Sequence, residues 1–364
     1  MSATVSPSFG QSVALVAERE VKSKLQSKAF VVSTLILFAI VLGGILFSGF
    51  SGDALSSKTK VAATGTSASQ LAEVPGLEVV EVNSDDAAKE AVRDESAEAA
   101  VVTDSASPTG YTIVTLTEVD SSLTSVLSIA PKTEILEPST TDPFMRYIVA
   151  IAFGVVFMMA ATMFGTTITQ SVIEEKSTRV VEILISTIST RALLAGKVLG
   201  NTILAMMQVI GIVVVAIIGL TITGQSGLLG MLGAPLVWFA VFFFFGFILL
   251  AAMFAAAASM VSRQEDAGAT TTPITMLIMI PYVLIIVFND NSAVLTAMSY
   301  VPFSAPVGMP MRLFLGEAQW WEPLLSLAIL IATAALAIVI GAKIYDNTLL
   351  KMGSRVTLKE ALKG

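Results

Sequence analysis

Long apolar runs without charged residues divide the chain into six candidate membrane spans. About 20 helical residues cross the roughly 30 Å hydrocarbon core of a bilayer. Four charge-free runs of suitable length lie at 29–52, 147–173, 267–289 and 323–342. A fifth run, 198–262, is too long for one span, and the turn residues at 223–235 divide it into two. The first run is longer than the apolar core of a signal peptide, so we expect an uncleaved anchor.

The distribution of basic residues orients these spans. Lys and Arg are frequent in the N-terminal segment 1–28, the loop 171–197 and the tail 343–364. With six spans all three lie on one side of the membrane, and cytoplasmic loops are the ones enriched in Lys and Arg. The opposite side receives 51–142, which contains five basic and sixteen acidic residues. We therefore expect both termini in the cytoplasm of a multi-pass plasma-membrane protein, the inner membrane in a bacterium.

The predicted fold is an α-helical polytopic membrane protein with a small extracytoplasmic α/β domain between the first and second spans. Its parts are a cytoplasmic interfacial helix (1–28), the first span (29–50), the extracytoplasmic domain (51–142), a five-span transmembrane domain (143–345) and a cytoplasmic tail (346–364). Within the α/β domain we expect strands at 60–64, 77–82, 99–103 and 111–116 and helices at 85–96 and 121–130. Ser84 or Asp85 caps the first of these helices.

The composition removes several kinds of site. The chain is 54% hydrophobic and 13% charged, and it contains no His and no Cys. Disulfides and thiolate nucleophiles are therefore absent, as is the commonest general base and metal ligand. The only Gly-Lys pair, at 196–197, lacks the upstream Gly and the following Ser or Thr of a phosphate-binding loop. We expect no catalytic residue, metal or cofactor in this chain, and no nucleic-acid partner.

The segment 173–188 has the periodicity of one amphipathic helix at the cytoplasmic face. Its predicted apolar side consists of Ile173, Val180, Val181, Leu184 and Ile188, and its polar side of Glu175, Thr178, Arg179, Glu182 and Ser186. Glu175 and Arg179 are spaced as an i,i+4 pair. The polar side carries both signs of charge, which fits a protein partner better than an anionic lipid surface. Thr190 is the expected cap of the helix that follows.

Three further segments carry candidate chemistry. The second cytoplasmic loop contains Arg263, Glu265 and Asp266, and it is either a simple turn or a second partner contact. The N-terminal helix, with Arg19, is expected to lie at the membrane interface. In the outer segment 301–316, Pro302, Pro306 and Pro310 are incompatible with one regular helix. We expect short re-entrant helices there, with Arg312 near the interface because an arginine in mid-membrane is costly.

The charged loop resembles the first cytoplasmic loop of type-2 ABC exporter permeases, specifically the sodium-extrusion (NatB-like) branch. The matching positions are Glu174, Glu175, Lys176, Arg179, Glu182, Ile183 and Leu184, followed by Gly196, Lys197 and Gly200. A second motif matches at Pro302, Ser304, Pro306, Met309, Pro310 and Arg312, and the tail matches at Tyr345, Gly353 and Leu358. The order of anchor, external domain and five further spans agrees over nearly the whole chain.

The resemblance implies a role for each of these segments. The loop 171–190 is implied to be a coupling helix that docks on a separate ATP-binding subunit through Glu174, Glu175, Lys176, Arg179 and Glu182. The residues Arg263, Glu265 and Asp266 are implied to make a second contact with that subunit. The re-entrant segment is implied to close the outer end of the pathway. ATP and Mg²⁺ are then bound by the partner, and a second permease subunit, identical or related, completes the unit.

The resulting interpretation is the permease subunit of an ATP-driven exporter of sodium or of an amphipathic, drug-like, peptide or lipid cargo. Two alternatives stay open. A secondary ion transporter is disfavoured because no Asp or Glu lies inside a predicted span, where ion-coupled carriers usually place them. A membrane sensor with an extracytoplasmic ligand-binding domain is the other, although two spans would suffice for it.

Overall fold

The structure, a computed structural model, describes residues 8–55, 59–65, 77–94, 96–104, 111–116, 143–178, 180–351 and 356–363, with Ala68, Leu71 and Ser107. Its helices are α1 Phe9–Leu25, α2 Lys28–Leu55, α3 Asp85–Arg93, α4 Pro143–Ser177, α5 Val180–Ile185, α6 Thr190–Ile222, α7 Ser226–Ser259, α8 Ala267–Val287, α9 Ser292–Tyr300, α10 Ala305–Phe314, α11 Glu322–Thr348 and α12 Leu358–Lys363. Its strands are β1 Thr59–Thr64, β2 Leu77–Val82, β3 Ala99–Thr103 and β4 Tyr111–Thr115. The chain divides into a small unit, 47–138, and a helical unit, 1–46 with 139–364.

Six helices in the described ranges are long and apolar enough to cross a membrane. They are Lys28–Phe50, Pro143–Ser177, Thr190–Ile222, Ser226–Ser259, Gln264–Val287 and Glu322–Thr348. The six predicted spans are thus confirmed by length and composition. The turn expected at 223–235 is shorter in the structure, because α6 ends at Ile222 and α7 begins at Ser226. Leu228, Leu232 and Leu236 recur every four residues and pack on the core, so this stretch stays helical despite Pro235.

Helix α7 is the centre of the helical unit and packs against α4, α6, α10 and α11. Three pairs of phenylalanine rings join α4 to α7, with centroids 5.0–6.0 Å apart: Phe153 with Phe239, Phe157 with Phe243, and Phe164 with Phe247. The numbering rises in the same direction in both helices, so α4 and α7 run parallel. Parallel direction is what the second and fourth spans of an alternating bundle require.

Helices α9 and α10 form a short helical hairpin. The break between them, 301–304, contains Pro302, whereas Pro306 and Pro310 both lie within α10. The expected short helices are thus present, and of the three prolines only Pro302 lies in the break between them. Pro306 lies in the first turn, where its missing N–H has no helical partner to lose, and Pro310 forfeits one backbone bond inside a nearly fully buried helix.

The hairpin reaches deep between α7 and α11. Phe303 at its tip packs beside Met253 and Ala337, whereas Arg312 at its far end pairs with Glu322 at the start of α11. Fifteen helical residues separate 322 from 337, which corresponds to about 22 Å along the helix axis. The hairpin therefore enters and leaves the bundle on the same side, which is the geometry of a re-entrant segment.

The small unit is a four-stranded sheet with the order β2-β1-β3-β4. Strand β1 pairs in parallel with β2 and β3, and β3 pairs antiparallel with β4. Helix α3 covers one face through Ala88, Ala91 and Val92, and Ser84 caps it by accepting from Ala87 N at 3.2 Å. The four predicted strands and the predicted helix at 85–96 are thus present. The predicted helix at 121–130 lies outside the described residues.

The charged loop is not the single helix 173–188 predicted from the sequence. Helix α4 continues from its span to Ser177, and α5 begins only at Val180. Three groups bond to the carbonyl oxygen of Glu174, namely the N–H of Thr178 and the hydroxyls of Ser177 and Thr178. Such local side-chain bonds compete with the helical ladder and end α4 here. The apolar and polar sides predicted for 173–188 therefore do not belong to one continuous helix.

Candidate functional site

The helix ends that face the predicted cytoplasmic loops meet at one end of the helical unit. This loop end consists of α1, α5 and α12, the start of α6, the 3₁₀ turn Gln264–Asp266, and the C-terminal ends of α4, α7 and α11. The tail is joined to it because Val356 N donates to the carbonyl of Met260, at 3.0 Å. Helix α6 is joined to α11 through Thr190, whose hydroxyl donates to Asp346, and through Arg191, which pairs with Asp346 at 3.0 Å.

Lys176 ties three helices together at the loop end. Its ammonium group, fully buried, donates to the carbonyl oxygen of Ser259 at 2.6 Å and to that of Thr348 at 2.9 Å. These carbonyls belong to the last residues of α7 and α11, where backbone acceptors have no helical partner and the helix dipole is negative. The hydroxyls of Ser259 and Thr348 also bond to each other at 2.7 Å. Lys176 is therefore a C-terminal cap shared by two helices.

A second group, the charge cluster, joins α1, α4 and α6. It consists of Lys197, Glu20, Glu175, Arg19 and Ser171. The Lys197 ammonium lies 2.9 Å from Glu20, 3.0 Å from Glu175 and 2.6 Å from the Ser171 hydroxyl. Arg19 pairs with Glu175 at 2.5 Å and with Glu20 at 3.1 Å. Two cations and two anions thus alternate, so their charges balance; Lys197, Glu20 and Glu175 are buried or nearly so, whereas Arg19 is 43% exposed.

The electrostatics of the cluster follow from burial opposed by pairing. Burial alone would raise the pKa of Glu20, but the attraction and hydrogen bond of Lys197, with those of Arg19, outweigh it and hold the pKa below its ordinary value. Burial would likewise lower the pKa of Arg19, yet Glu175 and Glu20 raise it above its ordinary value. Both groups therefore stay charged at neutral pH.

Two glycines bring α1 close enough to α6 for the cluster to form. A Cβ at Gly196 would lie 2.4 Å from the Cβ of Val16, and one at Gly200 would lie 2.9 Å from the carbonyl oxygen of Ala17. A Cβ atom does not approach another carbon or an oxygen so closely, so any side chain at these positions would force the helices apart. Lys197 lies between these glycines, and the close crossing lets it reach Glu20.

An exposed polar groove opens between the two loops of the loop end. It has a volume of about 460 Å³ and is lined by Gln170, Ile173, Glu174, Ser177, Ser262, Arg263 and Gln264. Arg263 pairs with Glu265 at 3.2 Å, and both side chains are more than two-thirds exposed. On α5, Val181 is buried, whereas Glu182 and Ile183 are exposed. The exposed side of α5 thus carries one carboxylate and one large apolar side chain.

The family comparison decides what kind of protein carries this architecture. Residues 28–343 match the model of a family described as ABC-2 family transporter protein. The chain belongs to this family. The match covers most of the chain, including five of the six candidate spans in full and the sixth up to residue 343. Membership implies a membrane subunit, or permease, of an ABC transporter.

This ABC-2 protein is similar in sequence to two curated proteins. It is 25% identical to the uncharacterized protein MJ1024 of Methanocaldococcus jannaschii over 224 residues, 61% of this chain and 55% of the relative. It is 25% identical to the uncharacterized protein YhaP of Bacillus subtilis over 257 residues, 66% of this chain and 61% of the relative. The chain thus spans somewhat over half the length of these relatives. No solved structure matches it.

The structure separates the five residues of the ABC-2 protein that were predicted to dock a partner. Glu174 and Glu182 are exposed, but Glu175 and Lys176 are bound inside the chain. Arg179 lies outside the described residues, and with it the predicted pair with Glu175. In the second loop Arg263 and Glu265 are exposed and Asp266 is partly buried. Ser189, rather than Thr190, caps α6 by accepting from Ala192 N at 3.3 Å.

Arg312 of the ABC-2 protein lies at the opposite end of the bundle from the charge cluster. Its guanidinium pairs with Glu322 at 2.7 Å, and it donates to the Ser299 hydroxyl at 3.1 Å and to the Glu317 carbonyl at 3.2 Å. These bonds link α9, α10 and α11. Arg312 is buried, so its charge is balanced by Glu322 rather than by water.

Sequence reasoning missed Glu20, Asp346 and Glu322, the acidic partners at the loop end and at the hairpin. Asp346 and Glu322 lie near a helix end beside an apolar run, and Glu20 lies among charged residues of α1; in both settings the sequence does not distinguish a buried carboxylate from a solvated one. The available signal was the pair of glycines around Lys197, because small residues three or four apart mark close helix crossings. In the described ranges no group of three or more acidic side chains is placed to bind a metal ion.

Proposed function

We propose that this chain is the permease subunit of an ATP-driven exporter and that a separate ATPase docks on its loop end. The observation that carries the proposal is the polar groove in which Glu174 of the first loop and Arg263 of the second loop lie together. A partner seated there contacts both loops at once. Glu182 and Ile183 are exposed on α5, which begins shortly after the end of α4, and we assign them to the same docking surface.

The residues that contact the ATPase and the residues that hold the helices together are then different groups. Glu174, Glu182, Arg263 and Glu265, with Arg179 and Asp266, form the proposed contact with the ATPase. Glu175 and Lys176 instead hold α4 to its neighbours, because their charges are used inside the chain. Their role is to position the docking surface.

This arrangement provides a path for nucleotide-driven motion. A displacement of α5 moves the end of α4, since only residues 178–179 separate the two helices. Lys176 links α4 to α7 and α11, and Lys197 links it to α1 and α6. The loop end should therefore move as one body rather than as separate loops. At the other end, the hairpin held by Arg312 and Glu322 is the proposed outer closure.

ATP and Mg²⁺ are bound by the ATPase in this proposal, and the permease is not catalytic. The chain supplies no phosphate-binding loop. The small unit lies outside the membrane and both termini lie in the cytoplasm, as the basic residues of the loop end favour. The protein is a plasma-membrane component, the inner membrane in a bacterium.

Two subunits of six spans make the proposed translocation unit, as a homodimer or with a related permease. The cargo proposed from the NatB-like resemblance is sodium. A cavity of about 490 Å³ between α7, α8 and α11 favours a different cargo class, because its walls are almost wholly apolar. The hydroxyls of Thr270 and Thr333 in its lining bond to their own helices. An apolar or amphipathic cargo suits this cavity better than a bare cation.

The experiment is co-expression of the permease with ATPase subunits of the same cell and mass measurement of the complex in mild lipid. The proposal predicts two permease chains and two ATPase chains, with ATP hydrolysis that the permease stimulates. A permease that purifies without any ATPase, or a complex with one chain of each, would contradict it.

A further inference from the structure

A deep trench between α1, α6, α7 and α11 has no role in the proposed coupling. Its volume is about 740 Å³, within the size range of ligand-binding cavities. Its mouth is formed by Phe9, Arg191 and Lys343 and its walls by apolar side chains that include Leu194, Val198 and Ile338. The trench is thus polar at one end and apolar along the rest.

The depth of the trench matches a molecule with a long apolar portion. Along α6 it extends from Arg191 to Thr202, which corresponds to about 16 Å. The Thr202 hydroxyl donates to the carbonyl of Val198 at 2.7 Å, so it offers no free donor to a ligand. The deep part can therefore bind only an apolar chain.

The mouth carries a net positive charge. Arg191 is 71% exposed and uses its Nε to pair with Asp346 at 3.0 Å. Its guanidinium makes no other hydrogen bond to the described residues, so terminal N–H donors remain for an anion. Lys343 is exposed and has no ion pair in the described ranges. Two cations and one carboxylate, Asp346, leave about one unbalanced charge.

The mouth also lies where a lipid headgroup would be. Phe9, 59% exposed, begins α1, and α1 carries further exposed Leu15 and Leu25 as an interfacial helix does. Arg191 and Lys343 are each at the loop end of a membrane span, the depth at which basic residues meet anionic headgroups. Phe9 and the two cations thus mark the boundary between headgroups and acyl chains.

We propose that this trench binds one anionic phospholipid, with its phosphate at Arg191 and Lys343 and an acyl chain along Leu194 and Val198. The lipid belongs to the cytoplasmic leaflet if the protein has the orientation given under the proposed function, on which this assignment rests. A second permease copy fits less well, because it would need to supply both an acidic group and a narrow apolar insertion. Free phosphate matches the mouth alone and leaves the apolar walls exposed.

The test uses the purified full-length permease without ATPase, so it is independent of the proposed docking. Protein in detergent is mixed with equal amounts of phosphatidylglycerol and phosphatidylcholine, and retained lipid is measured by native mass spectrometry. We expect wild type to retain phosphatidylglycerol in preference. Each basic residue near an anionic headgroup contributes about fivefold, so Arg191→Gln with Lys343→Gln should lower this preference by about fivefold to 25-fold.

Two further variants separate the possible occupants. Ala195→Phe fills the trench wall without changing charge and should reduce retention of both lipids. Lys359→Gln with Lys363→Gln removes two exposed tail charges away from the trench and should change nothing. Unchanged preference in the Arg191 and Lys343 variant would overturn the proposal, as would full displacement of the lipid by inorganic phosphate. Loss of paired permease chains with unchanged lipid would instead make the trench a subunit interface and overturn it too.

Discussion

Lys197 and Glu20 form an ion pair of 2.9 Å although 177 positions separate them in the chain. The Lys197 side chain is fully buried, and that of Glu20 is 8% exposed. The pair fixes the N-terminal helix α1 to α6 at the end of the bundle that we assign to ATPase docking. Its strength determines whether α1 is part of the coupling machinery or only a surface anchor.

Lys197→Met should strongly destabilise the helical unit. Removing one partner of a buried ion pair leaves an uncompensated charge and costs about 3–5 kcal/mol. Thermal unfolding of the purified protein in mild detergent measures this. Arg191→Gln is the matched control, since it breaks an exposed pair with Asp346 worth about 0–1 kcal/mol. Equal shifts of the melting temperature in the two variants would contradict the stabilising role of the buried Lys197–Glu20 pair.

The low pKa of Glu20 gives stability a defined pH dependence. Because the folded pKa lies below the ordinary value of 4.5, Glu20 stabilises the fold fully above that value. The contribution decreases as the pH falls from 4.5 through the lower folded pKa. Melting temperatures of wild type and Glu20→Gln should therefore differ at neutral pH and converge in acid. A difference that grows in acid would contradict the assigned pairing.

The six spans could be predicted from sequence because each is a long apolar helix with a charged residue near its ends. The strands of the small unit could be predicted for a similar reason, since their apolar residues are local runs. The break between α4 and α5 could not, because it depends on hydroxyls of Ser177 and Thr178 returning to one carbonyl. The periodicity of apolar residues does not reveal such side-chain hydrogen bonds.

The division of the charged loop into exposed and buried residues was also beyond the sequence. Glu174 and Glu175 are adjacent and identical in type, yet one is exposed and the other lies between Arg19 and Lys197. Only the packing of α1, distant in the chain, separates them. Lys176 likewise has the composition of a docking residue, but its partners are two helix ends far along the chain.

Gly196→Val should separate α1 from α6. The new side chain would overlap Val16, and overpacking of this kind typically costs about 1–3 kcal/mol. Melting temperature and proteolysis of the N-terminal helix report the change. Gly230→Val is the control, since a Cβ there meets nothing within 4 Å. An unchanged melting temperature in Gly196→Val would show that the close crossing is not required.

The orientation of the protein can be tested with single cysteines, because the chain contains none. Asn83 in the small unit and Ser177 at the loop end are both exposed. A membrane-impermeant maleimide added to intact cells should label Asn83→Cys and should label Ser177→Cys only after the membrane is opened. External labelling of Ser177→Cys would invert the assigned topology.

The central claim is that a separate ATPase binds the exposed surface of the loop end. The variant Glu182→Lys tests this claim most directly. A charge deprived of its partner in an interface costs roughly 2–5 kcal/mol, at least about 30-fold in affinity. Glu90→Lys, an equally drastic reversal on an exposed residue of the small unit, is the control. The measurement is the amount of ATPase that copurifies with each variant. The account predicts loss of the ATPase with Glu182→Lys and normal amounts with Glu90→Lys, whereas normal amounts with both would contradict it.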